Sequence, residues 1–295
     1  MREKSNATGP AAVTAGLGVL GFSLSLPMTR LAVAALDPWF VAFGRSVGAA
    51  LLAAVYLLVT RATRPTGTQW WRLVVVALGV VVGFPLFTSL ALTTQTSSHS
   101  AVVIAALPAL TAVFAGLRAG ERPAPAFWAA SIAGLLAVLA FLALGGGIHG
   151  TLSTADGFLL AAVVLCAFGY AEGGALARDL GGAGTIGWAL LLALPATVPV
   201  TLVAARGTTG GAVPWAAFGY LTAVSMFLAF VAWYSGLARG GVARAGQLQL
   251  AQPVLTLAWS ALLLGETVTP ATLGAALVVL VCVVLTQRTR RPVLT

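Results

Sequence analysis

Residues 251–270 read "AQPVLTLAWSALLLGETVTP", and residues 106–125 read "ALPALTAVFAGLRAGERPAP". Laid over one another without a gap, Ala106, Pro108, Leu110, Thr111, Leu117, Gly120, Glu121 and Pro125 coincide with Ala251, Pro253, Leu255, Thr256, Leu262, Gly265, Glu266 and Pro270. An apolar composition yields Ala and Leu matches by chance, but not Pro, Gly-Glu and Pro at one constant offset. The chain therefore reads as a duplication of one unit. Each copy closes an apolar run on a glutamate, in a chain with only seven acidic residues.

The apolar share is 59% and the charged share 8%, against about 25% charged in soluble domains. Apolar residues come in blocks of roughly twenty, the length that spans a hydrocarbon core as a helix. Glycine is abundant, as in membrane helices that pack closely. The fold class is all-α and polytopic. The net charge of +9 does not signal nucleic acid, because the basic residues sit singly or in pairs between apolar blocks. Cys166 and Cys282 lie inside such blocks and read as small buried hydrophobes. The start "MREKSNATGP" is basic, but the apolar stretch behind it is too long for a typical cleaved signal peptide and reads as the first span.

Ten spans follow, at about 11–33, 38–60, 70–91, 97–117, 125–144, 156–177, 184–205, 214–236, 243–264 and 270–287, numbered 1 to 10 below. The breaks carry turn chemistry or charge, as in "ARDLGGAG", "LARGGVAR" and "GETVTP". With both termini inside, thirteen of the sixteen basic residues face the cytoplasm; Arg30 and Arg206 lie outside and Arg45 within span 2. That is the positive-inside asymmetry.

Five spans per unit is an odd number, so the second copy enters the membrane from the opposite side. Inverted repeats are a common basis of alternating-access transporters, with substrate bound between the repeats near the midplane. The expected organisation is a cytoplasmic tail at 1–10, a first five-helix repeat at 11–147, an inverted second repeat at 148–287 and a cytoplasmic tail at 288–295. Glu121 and Glu266 mark equivalent joints on opposite sides. Either carboxylate could accept hydrogen bonds from the N–H groups opening the next helix, whose first turn holds Pro125 or Pro270. The alternative is gating or proton coupling.

The stretch "GFSLSLPMTRLAVAALDPWFVAFGRSVGAALLA" at 21–53 and the twin proline-to-"GE" segments resemble the drug/metabolite transporter superfamily, specifically its ten-span exporters with two EamA-type repeats. The resemblance covers about residues 12–287, and the aromatic-amino-acid exporters are the branch closest in character. It implies an exporter of the bacterial inner membrane with a central cavity lined mainly by spans 1, 3, 4, 6, 8 and 9. It also matches Arg45 to an arginine such repeats carry in span 2, where helix packing is the expected role.

Several polar and aromatic residues stand out within the spans. Ser23 lies near Pro27, which removes a backbone donor and frees a carbonyl for a ligand or for a neighbouring hydroxyl. Pro85 makes a related break in span 3, flanked by Phe84 and Phe87, which face either lipid or cavity. Tyr170 and Glu172 lie in span 6. Arg178 is the expected partner of Glu172, with a substrate ammonium or a proton as the alternative. His99 opens span 4 near the external face and reads as an interfacial polar residue, with a proton carrier as the alternative. Trp233 and Tyr234 sit where an aromatic belt is expected; only one of the two can face the cavity fully, and with Tyr170 they are candidate substrate-binding residues. Gln247, Gln249 and Gln252 are costly if they face lipid, and Gln249 and Gln252 share a helix face. Pro108 and Pro253 complete the candidate gating and structural residues.

These features point to export of a small amphipathic metabolite, with a neutral or aromatic amino acid the best fit. The bilayer and that solute are the expected partners, with no nucleic acid, no cofactor and no metal, in a monomer or weak homodimer. Efflux of hydrophobic cations is the second reading, kept open by Glu172; another permease of the superfamily is a third. A sugar-phosphate carrier would need several Lys or Arg in its cavity. No nucleophile–base pair, metal-ligand cluster or phosphate loop stands out, so an enzyme is not expected.

Overall fold

The computed structural model describes residues 8–118, 124–145, 153–206 and 208–289; the side chains of 240–247 lie outside that description. All regular structure among the described residues is helical. Two of the helical runs conceal a reversal of the chain. Thr154–Ala204 counts 51 residues, which as one straight helix would reach about 75 Å, far beyond a bilayer core. Its Gly181 has φ 73° and ψ 163°, a conformation open essentially to glycine alone. There span 6 turns into span 7, inside the "ARDLGGAG" break. Within Ala229–Gln249, Trp233 lies against Gly18 and Gly236 against Ala15, so the chain runs back along span 1. Gln249 nevertheless lies beside Leu26, which requires a reversal between spans 8 and 9.

Six long apolar helices and three shorter ones are present; with Thr154–Ala204 divided at Gly181, the described residues cross ten times. Span 1 is Thr8–Ser23 plus Ser25–Val33, span 2 Pro38–Val59, span 4 Ser97–Ile104 plus Leu107–Arg118, span 5 Pro125–Gly145 and span 10 Pro270–Thr289. Spans 3 and 8 each contain a wide π-helical segment, Ala77–Gly83 and Leu221–Leu228, at nearly matching places in the two repeats. The face where Thr8 and Thr289 lie is called the terminal face, and the other the distal face. Large apolar side chains such as Leu58, Val59, Leu117 and Leu262 point outward, as expected of a lipid-facing surface.

The repeats interlock rather than sit side by side. Span 1 packs on span 8, and by the same relation span 3 packs on span 6. Both contacts are made through glycine: Gly18 against the Trp233 backbone and Gly79 against the Leu165 carbonyl. Spans 2 and 7 meet at Leu57 and Gly187, and spans 5 and 10 at Gly134 and Cys282. Spans 4 and 9 meet at Ser97 and Ser260. Without aqueous hydrophobic pressure inside the bilayer, close packing at small residues holds such helices together.

Two prolines leave a carbonyl without its helical donor, and a hydroxyl from another span takes each place. Pro27 cannot pair the Ser23 carbonyl, which accepts from Thr256 Oγ1 at 2.8 Å. Pro85 cannot pair the Val81 carbonyl, which accepts from Ser46 Oγ at 2.9 Å. The carbonyl freed at Ser23 is thus taken by a threonine of span 9 rather than by a serine of span 1.

A methyl added at Gly18 would stand 2.9 Å from the Trp233 amide nitrogen, whereas one at Gly16 would meet nothing within 4 Å. Gly18→Ala is expected to destabilise the detergent-solubilised protein by about 1–3 kcal/mol through overpacking. Gly16→Ala should leave thermal unfolding unchanged.

Candidate substrate-binding site

A small central cavity lies between spans 1, 4 and 9, lined by Leu26, Ala101, Ile104, Pro108, Gln249, Gln252, Pro253 and Thr256. Both repeat prolines border it. Pro108 and Pro253 lack the N–H that would pair the carbonyls of Ile104 and Gln249, and spans 4 and 9 break just there, at 105–106 and at Leu250. Broken helices placed symmetrically at the midplane are how many transporters build a binding site. The cavity volume is about 10 Å³, room for about one water, so the site is closed in this conformation.

Its polar wall is unsatisfied. Gln249 is 3% exposed and Gln252 9%, and Gln249 Nε2 and Gln252 Oε1 have no hydrogen-bond partner. One is a donor and the other an acceptor. Buried polar atoms without partners are rare and invite a ligand.

On the terminal-face side, Phe22, Tyr170, Phe230, Trp233 and Tyr234 form an aromatic block with ring centroids 4.6–6.4 Å apart. Trp233 and Tyr234 are fully buried, which corrects their expected place in an interfacial belt. Tyr234 donates to the Gly169 carbonyl at 3.2 Å, and Trp233 Nε1 is unpartnered. Beyond the block, Glu172 bridges Arg72, at 2.8 Å, and Arg118. The expected partner Arg178 is instead exposed. Helical geometry explains why: six residues on, Arg178 leaves the face that Glu172 presents to spans 3 and 4.

On the distal side, Glu266 accepts from the Ser97 and Ser98 amides at 2.8 Å each and from Ser98 Oγ at 2.6 Å. It does cap a helix start, but that of span 4 in the other repeat and not the next helix in sequence. Gly265 ends span 9 at φ 64°, the left-handed turn that aims the carboxylate there. Ser260 Oγ donates to Ser97 Oγ at 2.9 Å. His99 is 8% exposed and its Nε2 lies 2.8 Å from Oδ1 of Asp156, which is 0% exposed. His99 thus keeps its place at the start of span 4 but is enclosed by the protein. Asp156 was not a candidate on sequence, although "STAD" is a readable capping box.

The remaining candidates scatter. Ser23 donates to the Leu20 carbonyl and accepts from Trp259 Nε1, tying span 1 to span 9 beside the cavity. Phe87 stacks on Phe158 at 5.8 Å; neither it nor the half-buried Phe84 borders the cavity. Arg45 is buried with its Nε unpartnered. Glu121 and the Gln247 side chain lie outside the described residues. The lining comes from spans 1, 4 and 9, fewer than the six spans expected. A larger cleft of about 770 Å³ opens at the distal rim between Trp39, Pro199, Val203 and Arg206, away from these groups.

The sequence profile of the EamA-like transporter family matches residues 10–143 and 153–288. An uncharacterized transporter, YdeK, of Bacillus subtilis (strain 168) is 44% identical over 280 residues, covering 92% of this chain and 95% of that one. A crystal structure of 18% identity superposes with a TM-score of 0.64 over 95% of this chain and 99% of the other. That likeness supports the fold alone.

Removing the distal cap should weaken the closure between spans 4 and 9. Glu266→Ala leaves the Ser97 and Ser98 amides without an acceptor and is expected to cost about 1–2 kcal/mol. Glu266→Gln keeps an acceptor and should cost less. Thermal unfolding in detergent should rank wild type above Gln and Gln above Ala.

Proposed function

The chain belongs to the EamA-like transporter family, and on that premise we propose that it exports a small amphipathic solute, best fitted by a neutral or aromatic amino acid. The observation carrying this reading is the unmatched donor and acceptor of Gln249 and Gln252 on an otherwise apolar wall. A donor and an acceptor without net charge suit the carboxylate and ammonium of a zwitterion, with an apolar side chain against Leu26, Ala101 and Ile104. Among the described residues no Lys or Arg lines the cavity, which weighs against sugar phosphates, since phosphate recognition relies on such cations. Glu172 is engaged by two arginines, which weighs against its serving as a drug-cation site.

The membrane-embedded units 11–147 and 148–287 would rock against one another, opening the site to one face at a time. Positive-inside asymmetry supports a cytoplasmic terminal face and an external distal face in a plasma membrane. Substrate arriving from the cytoplasm would part Glu172 from its arginines and displace the aromatic block. The Ser97–Glu266 contact would hold the outer side shut meanwhile.

Proteoliposome counterflow with labelled amino acids against cationic drugs, with and without a pH gradient, tests the reading. Apolar amino acids are expected to move, and Gln252→Ala to lower their flux about tenfold at unchanged protein yield, the loss of one hydrogen bond to a charged group. Movement of cations alone would replace this reading by cation efflux.

A further inference from the structure

The distal end of span 4 carries titratable groups that the binding site does not use. Asp156, wholly buried at the start of span 6, has Oδ2 held by the Ser153 amide at 2.9 Å and the Ser153 hydroxyl at 2.8 Å. Its Oδ1 faces Gln95 Nε2 at 3.4 Å and His99 Nε2 at 2.8 Å. Among these four donors only the imidazole can gain or lose a charge. His99 is itself enclosed, its ring 5.1 Å from that of Phe141 of span 5 and tilted against it.

We infer that His99 and Asp156 form a proton-binding site joining the repeats, and that a proton on His99 holds the distal face closed. Span 4 belongs to the first repeat and span 6 to the second, so opening that face separates the pair. A proton on His99 completes an ion pair with Asp156 in a water-poor setting, where the attraction is far stronger than in bulk water. Separation into water forfeits most of it. A proton on His99 therefore favours closure of the distal face, and its loss loosens that closure.

Among the described residues the other charged groups around span 4's start are few; the chain's other histidine, His149, lies outside them. Glu266 caps Ser97 and Ser98 from the joint of spans 9 and 10. Arg30, ending span 1, donates to the carbonyls of Leu92 and Thr93. Span 10 has only Arg288, at its opposite end.

The test needs no substrate and so stands apart from the amino-acid reading. Hydrogen exchange of the 97–104 amides is followed in lipid nanodiscs at pH 6 and pH 8, corrected for intrinsic chemical rates. Wild-type opening is expected to be about tenfold rarer at pH 6. In His99→Gln, which keeps a hydrogen-bond donor but cannot titrate there, the ratio should fall below about twofold, in line with loss of that coupling. Equal protection of the wild type at both pH values overturns the inference, whether or not the variant folds. So does a full pH effect surviving in His99→Gln, or one lost in Glu266→Gln instead.

Discussion

A helix beginning at a membrane border has N–H groups with no carbonyl to pair with, and hydrocarbon offers no water in exchange. Span 4 meets this requirement with a carboxylate from the other repeat, Glu266 on Ser97 and Ser98. That single constraint fixes much else. The left-handed turn at Gly265 must stand next to span 4. The last turns of span 9 must lie along its first turns, where Ser260 reaches Ser97. Spans 4 and 9, broken at matching prolines, then face one another across the midplane and enclose the cavity.

The two ends of that cavity are closed by different chemistry. Toward the terminal face lie an aromatic block and a glutamate between two arginines. Toward the distal face lie a helix cap, a hydroxyl pair and a histidine–aspartate pair. Every one of these polar links ties span 4 or span 3 to a span of the second repeat. They are therefore the contacts that must break if the repeats move as bodies, and both sets are made at once in this structure.

The duplication at constant offset, the ten spans and the odd count per unit are legible in the sequence because they depend on local pattern and parity. Gln249 and Gln252 are legible too, since an uncharged amide inside an apolar run needs a reason to be there. The polar partners are not. Glu172 pairs with residues 100 and 54 positions away, and His99 with one 57 away. Reasoning along one helix looks instead to the nearest charge, Arg178, or to the next helix start after Glu266. Inverted packing supplies the true neighbours, and nothing in local spacing reveals it. The burial of Trp233 and Tyr234 is hidden likewise, because it depends on the Trp233 backbone packing against Gly18 of span 1 and the Tyr234 ring against Gly173 of span 6.

The account rests on equivalent joints of the two repeats lying on opposite sides of one bilayer. Ala124 and Thr269 occupy the same place in the duplicated unit, each just before its proline. Single cysteines placed there, in a background without Cys166 and Cys282, can be labelled in intact cells and in inverted vesicles with an impermeant maleimide. The account requires Thr269→Cys to react from outside cells and Ala124→Cys only in inverted vesicles. Both reacting from the same side would contradict it.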